Sequence, residues 1–404
     1  MTKTYLIDLD DTLLGNDMDI FIPPYLKLIA GTLKEYATTN EVIQAMMEAT
    51  QLMMDQDQPN ITLKNKFDEY FYPKLGINFD SVQPSLREFY ATRYLQLSEL
   101  TQERAEAKEL VDTLKSRGDR IVIATNPLFP DFAVQPRIDW AGFPKDKYDF
   151  EMITTYDDYH FSKPSPAYYA EILAQIGWPE GPVIMIGNDN ENDIEPAQKL
   201  GLATFYINNE EDCVHRYVLD GEPSYARGWL DKIIPWVDSV PEENLMPSFH
   251  TPEAFISILK STPAATQTLI RSLSKEVMGN RTSDDSWSLG EIFLHLRDVD
   301  MEINLPRIKK LLTEDDAFIT AVNADVWIEE RQYQERDPLE AFDDFMNTRI
   351  ELLNLLKSLS DADWMRSAHH TIFGPTNLKE LIRITSRHDR LHMQQIHKTQ
   401  LSLK

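Results

Sequence analysis

Tyr5-Leu-Ile-Asp8-Leu-Asp10-Asp11-Thr12-Leu13 sets a short apolar run directly against two carboxylates spaced two residues apart. The run is strand-length, and polar residues flank it. Four more runs of this kind follow in the first half of the chain: Arg120-Ile-Val-Ile-Ala-Thr125, Phe150-Glu-Met-Ile-Thr154, Val183-Ile-Met-Ile186 and Ala203-Thr-Phe-Tyr-Ile207. Helical patterns lie between them, over 103 to 117, 166 to 176 and 192 to 200. Gly118 and Gly201 close the first and last, and Ser165-Pro166 opens the middle one as N-cap and first-turn residue. Strands and helices in alternation predict an α/β fold, a doubly wound, Rossmann-like parallel sheet with helices on both faces. Residues 15 to 100 interrupt it. They are helical in pattern, aromatic-rich and without a convincing strand, which predicts a helical cap inserted after the first strand.

Residues 239 to 250 contain two prolines and little periodicity, and they read as a linker between a first domain, 1–238, and a second, 251–404. From Thr251-Pro252 onward the pattern is helical. A capping box, Ser288-Leu-Gly-Glu291, opens one helix whose apolar stripe runs through Ile292, Leu296, Val299 and Ile303. A second stripe joins Phe342, Phe345, Leu352 and Leu356, and the last joins Leu381, Thr385, His388 and His392. Such stripes with short connections predict a C-terminal all-α four-helix bundle.

Composition narrows the function. With 404 residues the chain exceeds what one core usually accommodates, and its 14 glycines favour a largely helical protein. The single cysteine, Cys213, excludes a disulfide framework, a thiolate zinc site and an iron–sulfur cluster. Net charge is −26, and residues 1–240 hold 40 of the 66 acids against 21 of the 40 bases. An acidic surface repels a phosphate backbone, and no basic patch offsets it, so no nucleic-acid partner is expected. Acidic residues come too early for a signal peptide, and no run of 18 uncharged apolar residues exists. A cytoplasmic protein with no membrane partner is therefore expected. Seven of the nine histidines lie beyond residue 249, which suggests different chemistry in the two halves.

An isolated Asp-X-Asp is as a rule a solvated turn. At the end of a strand in a doubly wound sheet, however, Asp8 and Asp10 stand at the mouth of the ligand crevice. One carboxylate can act as a covalent nucleophile and the other as general acid and base. A phosphate ester repels both by several kcal/mol per pair at intermediate dielectric, so a Mg²⁺ ion is needed to hold the three together. Three more segments support this reading. Thr125-Asn126 ends a strand and can offer a hydroxyl and backbone N–H groups to phosphoryl oxygens. Lys163, in Ser-Lys-Pro-Ser-Pro, can bring a positive charge to nucleophile and phosphate. Gly187-Asn-Asp-Asn-Glu-Asn-Asp193 is an acidic loop suited to a hard cation.

These four segments resemble the haloacid dehalogenase-like hydrolase superfamily, over roughly residues 3 to 237. The resemblance implies Asp8 as nucleophile, Asp10 as acid/base, Thr125 as phosphate-binding hydroxyl, Lys163 as positioning lysine, the 187 to 193 loop as source of the metal acids, and the insertion as a substrate-covering cap. The dehalogenating members resembled here lack an acid at the place of Asp10, so phosphate-ester hydrolysis is preferred to carbon–halogen cleavage. Where many relatives have Asp after the glycine, this chain has Asn188. An amide is a weaker ligand, so direct Mg²⁺ ligation is expected of Asp189, with Asp193 as a second acid acting through water or Lys163.

The last helix carries His388 and His392 one turn apart on its apolar stripe. His295 lies one turn from Ile292 and Val299 and also faces inward. Unpaired imidazoles inside a bundle are costly, whereas three of them can hold a divalent transition metal with a position left open. The segments Trp287 to Asp298 and Phe373 to Ile396 are similar to the DinB-like metal-binding four-helix family, over about 251 to 400. That similarity implies His295, His388 and His392 as ligands of Zn²⁺, Ni²⁺ or another divalent metal. Asp389, Gln395, His397, His369 and His370 read as supporting or surface groups.

The leading expectation is a Mg²⁺-dependent phosphatase acting on a small phosphorylated metabolite through an aspartyl-phosphate, fused to a metal-binding bundle. Two alternatives stay open: a metal-dependent thiol transferase centred on the bundle, or a bundle that senses metal or forms a homodimer without catalysing.

Overall fold

The computed structural model describes all residues except 209–213, 217–223, 285 and 404, with only the backbone of 214–216. Cys213 thus lies outside the described residues. The chain divides into two compact units, one of residues 1–57, 61–168 and 179–248, the other of 58–60, 169–178 and 249–404.

The first unit is built on a seven-stranded sheet. Its strands are β1 (Thr4–Ile7), β2 (Arg120–Ile123), β3 (Met152–Ile153), β4 (Val183–Gly187), β5 (Ala203–Ile207), β6 (Val214–Arg216) and β7 (Tyr225–Gly228), in the spatial order β3-β2-β1-β4-β5-β7-β6. All neighbours are parallel except β6 with β7. The five strands read from the sequence are all present. The β6–β7 edge was not foreseen, because Tyr-Ala-Arg-Gly has no apolar run to announce it.

Register explains where the site falls. Ile7 of β1 lies level with Ile123 of β2 on one side and Ile186 of β4 on the other. The residues that follow these three strands therefore emerge together at the carboxyl edge of the sheet. All four side chains of β1 are buried, as central parallel strands require.

A pair of two-residue strands, Leu14–Gly15 against Gln102–Glu103, clasps the chain where the cap leaves and returns. Between them run four helices, α1 (Met18–Thr32), α2 (Thr39–Met54), α3 (Leu63–Leu75) and α4 (Phe79–Ala91). Each opens on a polar side-chain cap, from Asp17, Thr38, Thr62 and Asn78 in turn, so the helix starts are fixed locally. Their apolar faces form a core of their own around Phe21, Tyr25, Phe89 and Tyr94.

The second unit contains α5 (Pro252–Ile270), α6 (Leu289–Val299), α7 (Leu305–Thr313), α8 (Pro338–Lys357) and α9 (Leu378–Leu403). A π turn over Asp300–Asn304 joins α6 to α7, so these two make one helical arm and the bundle counts four. The capping box at Ser288 and Glu291 forms as read. The unit is not purely helical: Ala317–Ile319, Ser367–His370 and Gly374–Asn377 form a small sheet. His369 and His370 lie in it, one exposed and one buried, so alternation along a strand decides their fates rather than a helical face. Among the described residues, no helix is long and apolar enough to cross a membrane.

Candidate functional site

Asp8 follows β1 directly and its amide N–H donates to the Ile186 carbonyl, which holds it in the sheet's register for one residue more. Its carboxylate is buried and meets Lys163, whose Nζ donates to Asp8 Oδ1 at 2.7 Å and to Asp193 Oδ1 at 2.6 Å. Three segments distant in sequence thus share one buried ammonium. Burial pushes the Asp8 carboxyl up to about 7; Lys163 works against that rise, while Asp193 and Asp10 add to it. Burial likewise raises Asp193, again against the pull of Lys163. One lysine does not neutralise this pair.

Asp10 points differently. Its Oδ1 accepts from Asn16 Nδ2 at 2.9 Å, and its Oδ2 accepts from Arg137 at 2.6 Å and the Thr125 hydroxyl at 3.4 Å. Arg137 has no exposure and stacks on Phe129 at 4.4 Å. Burial opposes its charge, but Asp10, with Tyr94 and Tyr25, more than offsets that. The Thr125 carbonyl accepts from the Thr154 hydroxyl at 2.6 Å and the Tyr168 hydroxyl at 2.7 Å, so the turn carrying Thr125 and Asn126 is held rigidly. Among the described residues Asn126 Oδ1 is buried without a hydrogen-bond partner, a polar atom left for something else to satisfy.

The acids of the 187 to 193 loop do not gather as expected. Asp189 is turned into its own loop: Oδ1 accepts from the N–H groups of Glu191 and Asn192, and Oδ2 from the Asn192 side chain. It is the N-cap of that turn and also lines the cleft in which cation ligation was expected of it. Asp193 is occupied by Lys163 and by the Asp189 N–H, and Asp10 by Asn16, Arg137 and Thr125. The side chain that faces the Asp8 segment from this loop is Asn188, whose Oδ1 accepts from the Thr12 hydroxyl at 3.1 Å.

A hard cation still fits. Mg²⁺ keeps several waters and needs only one or two protein oxygens beside substrate phosphate. Asp8 and Asn188 line the same cleft, and Asp193 and Asp10 bring negative charge beside the buried Asp8 carboxyl that a cation would offset.

That cleft has a volume of about 2020 Å³ and runs from Asp8, Asp10, Thr125, Asn126 and Lys163 up between the cap helices. Of the six cap aromatics Phe21, Tyr25, Phe67, Tyr70, Phe71 and Tyr72, four line it; Phe21 is core and Tyr70 donates to Glu48 at 2.5 Å. Its rim exposes Met47, Met54, Leu95 and Phe132.

In the bundle, α6 and α9 bring His295, His388 and His392 together. His388 Nε2 lies 3.1 Å from His295 Nε2 and 3.0 Å from His392 Nε2, and the three form the only metal-capable cluster of His, Cys, Asp and Glu among the described residues. Burial pushes the His295 imidazole down to about 3, and it lowers His388 and His392 as well. Neutral imidazoles with converging lone pairs fit a divalent transition metal. Gln395 Oε1 lies 3.0 Å from His392 Nδ1, a contact that turns Nε2 toward the centre. Trp287 stacks on His392 at 5.7 Å. Beneath the triad, Asp389 and Asp300 flank the fully buried Arg349, so Asp389 is supporting structure rather than a ligand. Arg137, Arg349 and Trp287 were not singled out from the sequence.

The fold and the two residue sets define a doubly wound α/β hydrolase unit with a helical cap, accompanied by a histidine-bearing helical bundle. Residues 2–201 match the model of the haloacid dehalogenase-like hydrolase family, and residues 258–396 that of the DinB superfamily. The chain therefore joins a haloacid dehalogenase-like hydrolase domain to a DinB superfamily domain. Similar solved structures include a haloacid dehalogenase-like phosphatase from Thermococcus onnurineus, 16% identical, covering 59% of this chain and 98% of that one with TM-score 0.37. A 2-haloacid dehalogenase from Pseudomonas syringae pv. Tomato DC3000 is 18% identical, covering 59% and 99% with TM-score 0.39. The four-helix-bundle protein YfiT from Bacillus subtilis is 20% identical, covering 40% and 89% with TM-score 0.34. No curated protein compared with the chain matches it.

Proposed function

We propose that the first unit is a phosphate-monoester hydrolase using Asp8 as nucleophile. The observation that carries this reading is the buried ammonium of Lys163 shared between Asp8 and Asp193 at the floor of the cleft, with Asp10 two residues away. Asp8 attacks phosphorus and the ester P–O bond breaks, while protonated Asp10 gives its proton to the departing oxygen. Asp10 then takes a proton from water as that water attacks the aspartyl-phosphate, which frees Asp8 and inorganic phosphate. We assign Lys163, the Thr125 hydroxyl and backbone N–H groups at Asn126 to the phosphoryl oxygens. Mg²⁺, held by Asp8 and Asn188, would offset charge on the transferring group.

The cleft also argues for a leaving group larger and more apolar than the small metabolite expected from sequence. Ordinary ligand sites measure about 300–1,000 Å³, and this one is twice the upper value and walled by aromatic and methionine side chains. In the second unit the convergence of three neutral imidazoles supports a bound divalent transition metal.

The test is turnover of aryl phosphates by the full chain with Mg²⁺. Activity in the parent that Asp8→Asn abolishes supports the reading, and full activity in Asp8→Asn overturns it.

A further inference from the structure

The histidine triad supplies no negative charge. Three neutral ligands would leave a divalent ion uncompensated beside His295, which is only 1% exposed. Most acids near the triad are already committed. Asp298 is taken by Arg297, Arg331 and the Tyr333 hydroxyl, and Asp300 and Asp389 are taken by Arg349. Asp325 differs: its Oδ1 lies 4.0 Å from His295 Nε2, and it makes no ion pair with Lys or Arg among the described residues.

We propose that Asp325 is the fourth, anionic ligand of the metal held by His295, His388 and His392, an inference that rests on the metal-site reading of that triad. A side-chain rotation completes the reach. In a tetrahedral site ligand atoms each about 2.0–2.2 Å from the ion sit roughly 3.4 Å apart, so at 4.0 Å from His295 the Asp325 carboxylate stands just outside the coordination sphere and must turn inward to enter it. Its side chain is 72% exposed and free to rotate, while its backbone is anchored. The neighbouring Ala324 is buried with Val299 and Ile303, with Trp327 packed against them. The Trp327 N–H donates to the Ala324 carbonyl at 3.1 Å, which closes the turn that presents Asp325.

Two consequences follow. A His₃–carboxylate set is tetrahedral and closed at rest, suited to Zn²⁺ or Co²⁺. A substrate or partner reaching the metal would have to displace an exposed, rotatable carboxylate rather than a water alone.

The experiment loads the intact protein with Co²⁺ and records the visible d–d spectrum and the dissociation constant for the parent, Asp325→Ala, Asp325→Asn and the control Glu330→Gln. Glu330 is a nearby exposed acid. Expected are an intense four-coordinate band in the parent, and a shifted or weakened band with at least about tenfold weaker binding in both Asp325 variants. Glu330→Gln should match the parent. A parent that binds no Co²⁺ overturns the triad reading and this proposal together. A parent that binds while Asp325→Ala keeps the same spectrum and affinity overturns the Asp325 assignment alone, as does a Glu330→Gln loss equal to that of Asp325→Ala. Far-ultraviolet circular dichroism of each variant confirms that the exposed substitutions leave the bundle folded.

Discussion

Arg349→Met removes the one cation between two buried carboxylates. Arg349 Nε donates to Asp300 Oδ2 at 2.6 Å, its two terminal nitrogens donate to Asp389, and one of them also donates to the Leu259 carbonyl at 2.9 Å. Arg349 has no exposure, and both acids have 1%. Breaking a buried pair from one side costs about 3–5 kcal/mol, because an uncompensated charge stays behind. For a unit of this size, roughly 4 kcal/mol lowers the melting temperature by about 10 °C. The pH dependence has a definite sign. Burial already holds the Asp300 carboxyl above its ordinary range, with Arg349 pulling it down. Without Arg349 it rises further, so the variant's deficit is full at neutral pH and narrows as pH falls and Asp300 takes up a proton. Hydrogen-exchange mass spectrometry on peptides from 289–313 and 378–403 reads the loss locally. Arg349→Met combined with Asp300→Asn and Asp389→Asn should recover most of it, since neutral replacements need no counter-charge. A loss below about 1 kcal/mol, or one that grows on acidification, would refute the reasoning.

Three further outcomes are expected. Gly187→Ala places a Cβ 2.1 Å from Asp193 Oδ2 and 2.6 Å from its Cβ, so it should displace Asp193, release Lys163 and cut kcat, with a stability cost of about 1–3 kcal/mol by thermal melting. Arg137→Met frees Asp10 and should lower kcat about 10²-fold with KM little changed; an unchanged kcat shows that Asp10 needs no holding. Met47→Ser together with Phe132→Ser removes apolar rim surface and should raise KM for naphthyl phosphate while leaving methyl phosphate turnover as it was, and equal effects on both would rule out an apolar subsite.

Much of this was legible in the sequence, for local reasons. An apolar run ending in Asp8 can only place that acid at a strand terminus, and spacing of four on one stripe can only put His388 and His392 on one face. What failed to show depends on which partner a side chain finds. Arg137 sits among Ala133, Val134 and Ile138 in the helix Asp131–Trp140, where a lone arginine reads as a surface charge until Asp10 is seen beside it. Arg349 did carry a signal, four residues from Phe345 and three from Leu352 on the buried stripe. Asp189 did too. An Asp immediately before a helical turn, with Asn192 three residues on, is an N-cap pattern, and the structure shows that local role. The small sheet holding His369 and His370 has strands of three or four residues, too short for alternation to be decisive.

The most direct measurement is rapid acid quenching of the intact protein during turnover of an aryl phosphate, followed by peptide mapping. The account predicts a phosphoryl group on the carboxylate of Asp8 that disappears in Asp8→Asn. A phosphoryl group on another residue, or undiminished turnover by Asp8→Asn, would contradict it.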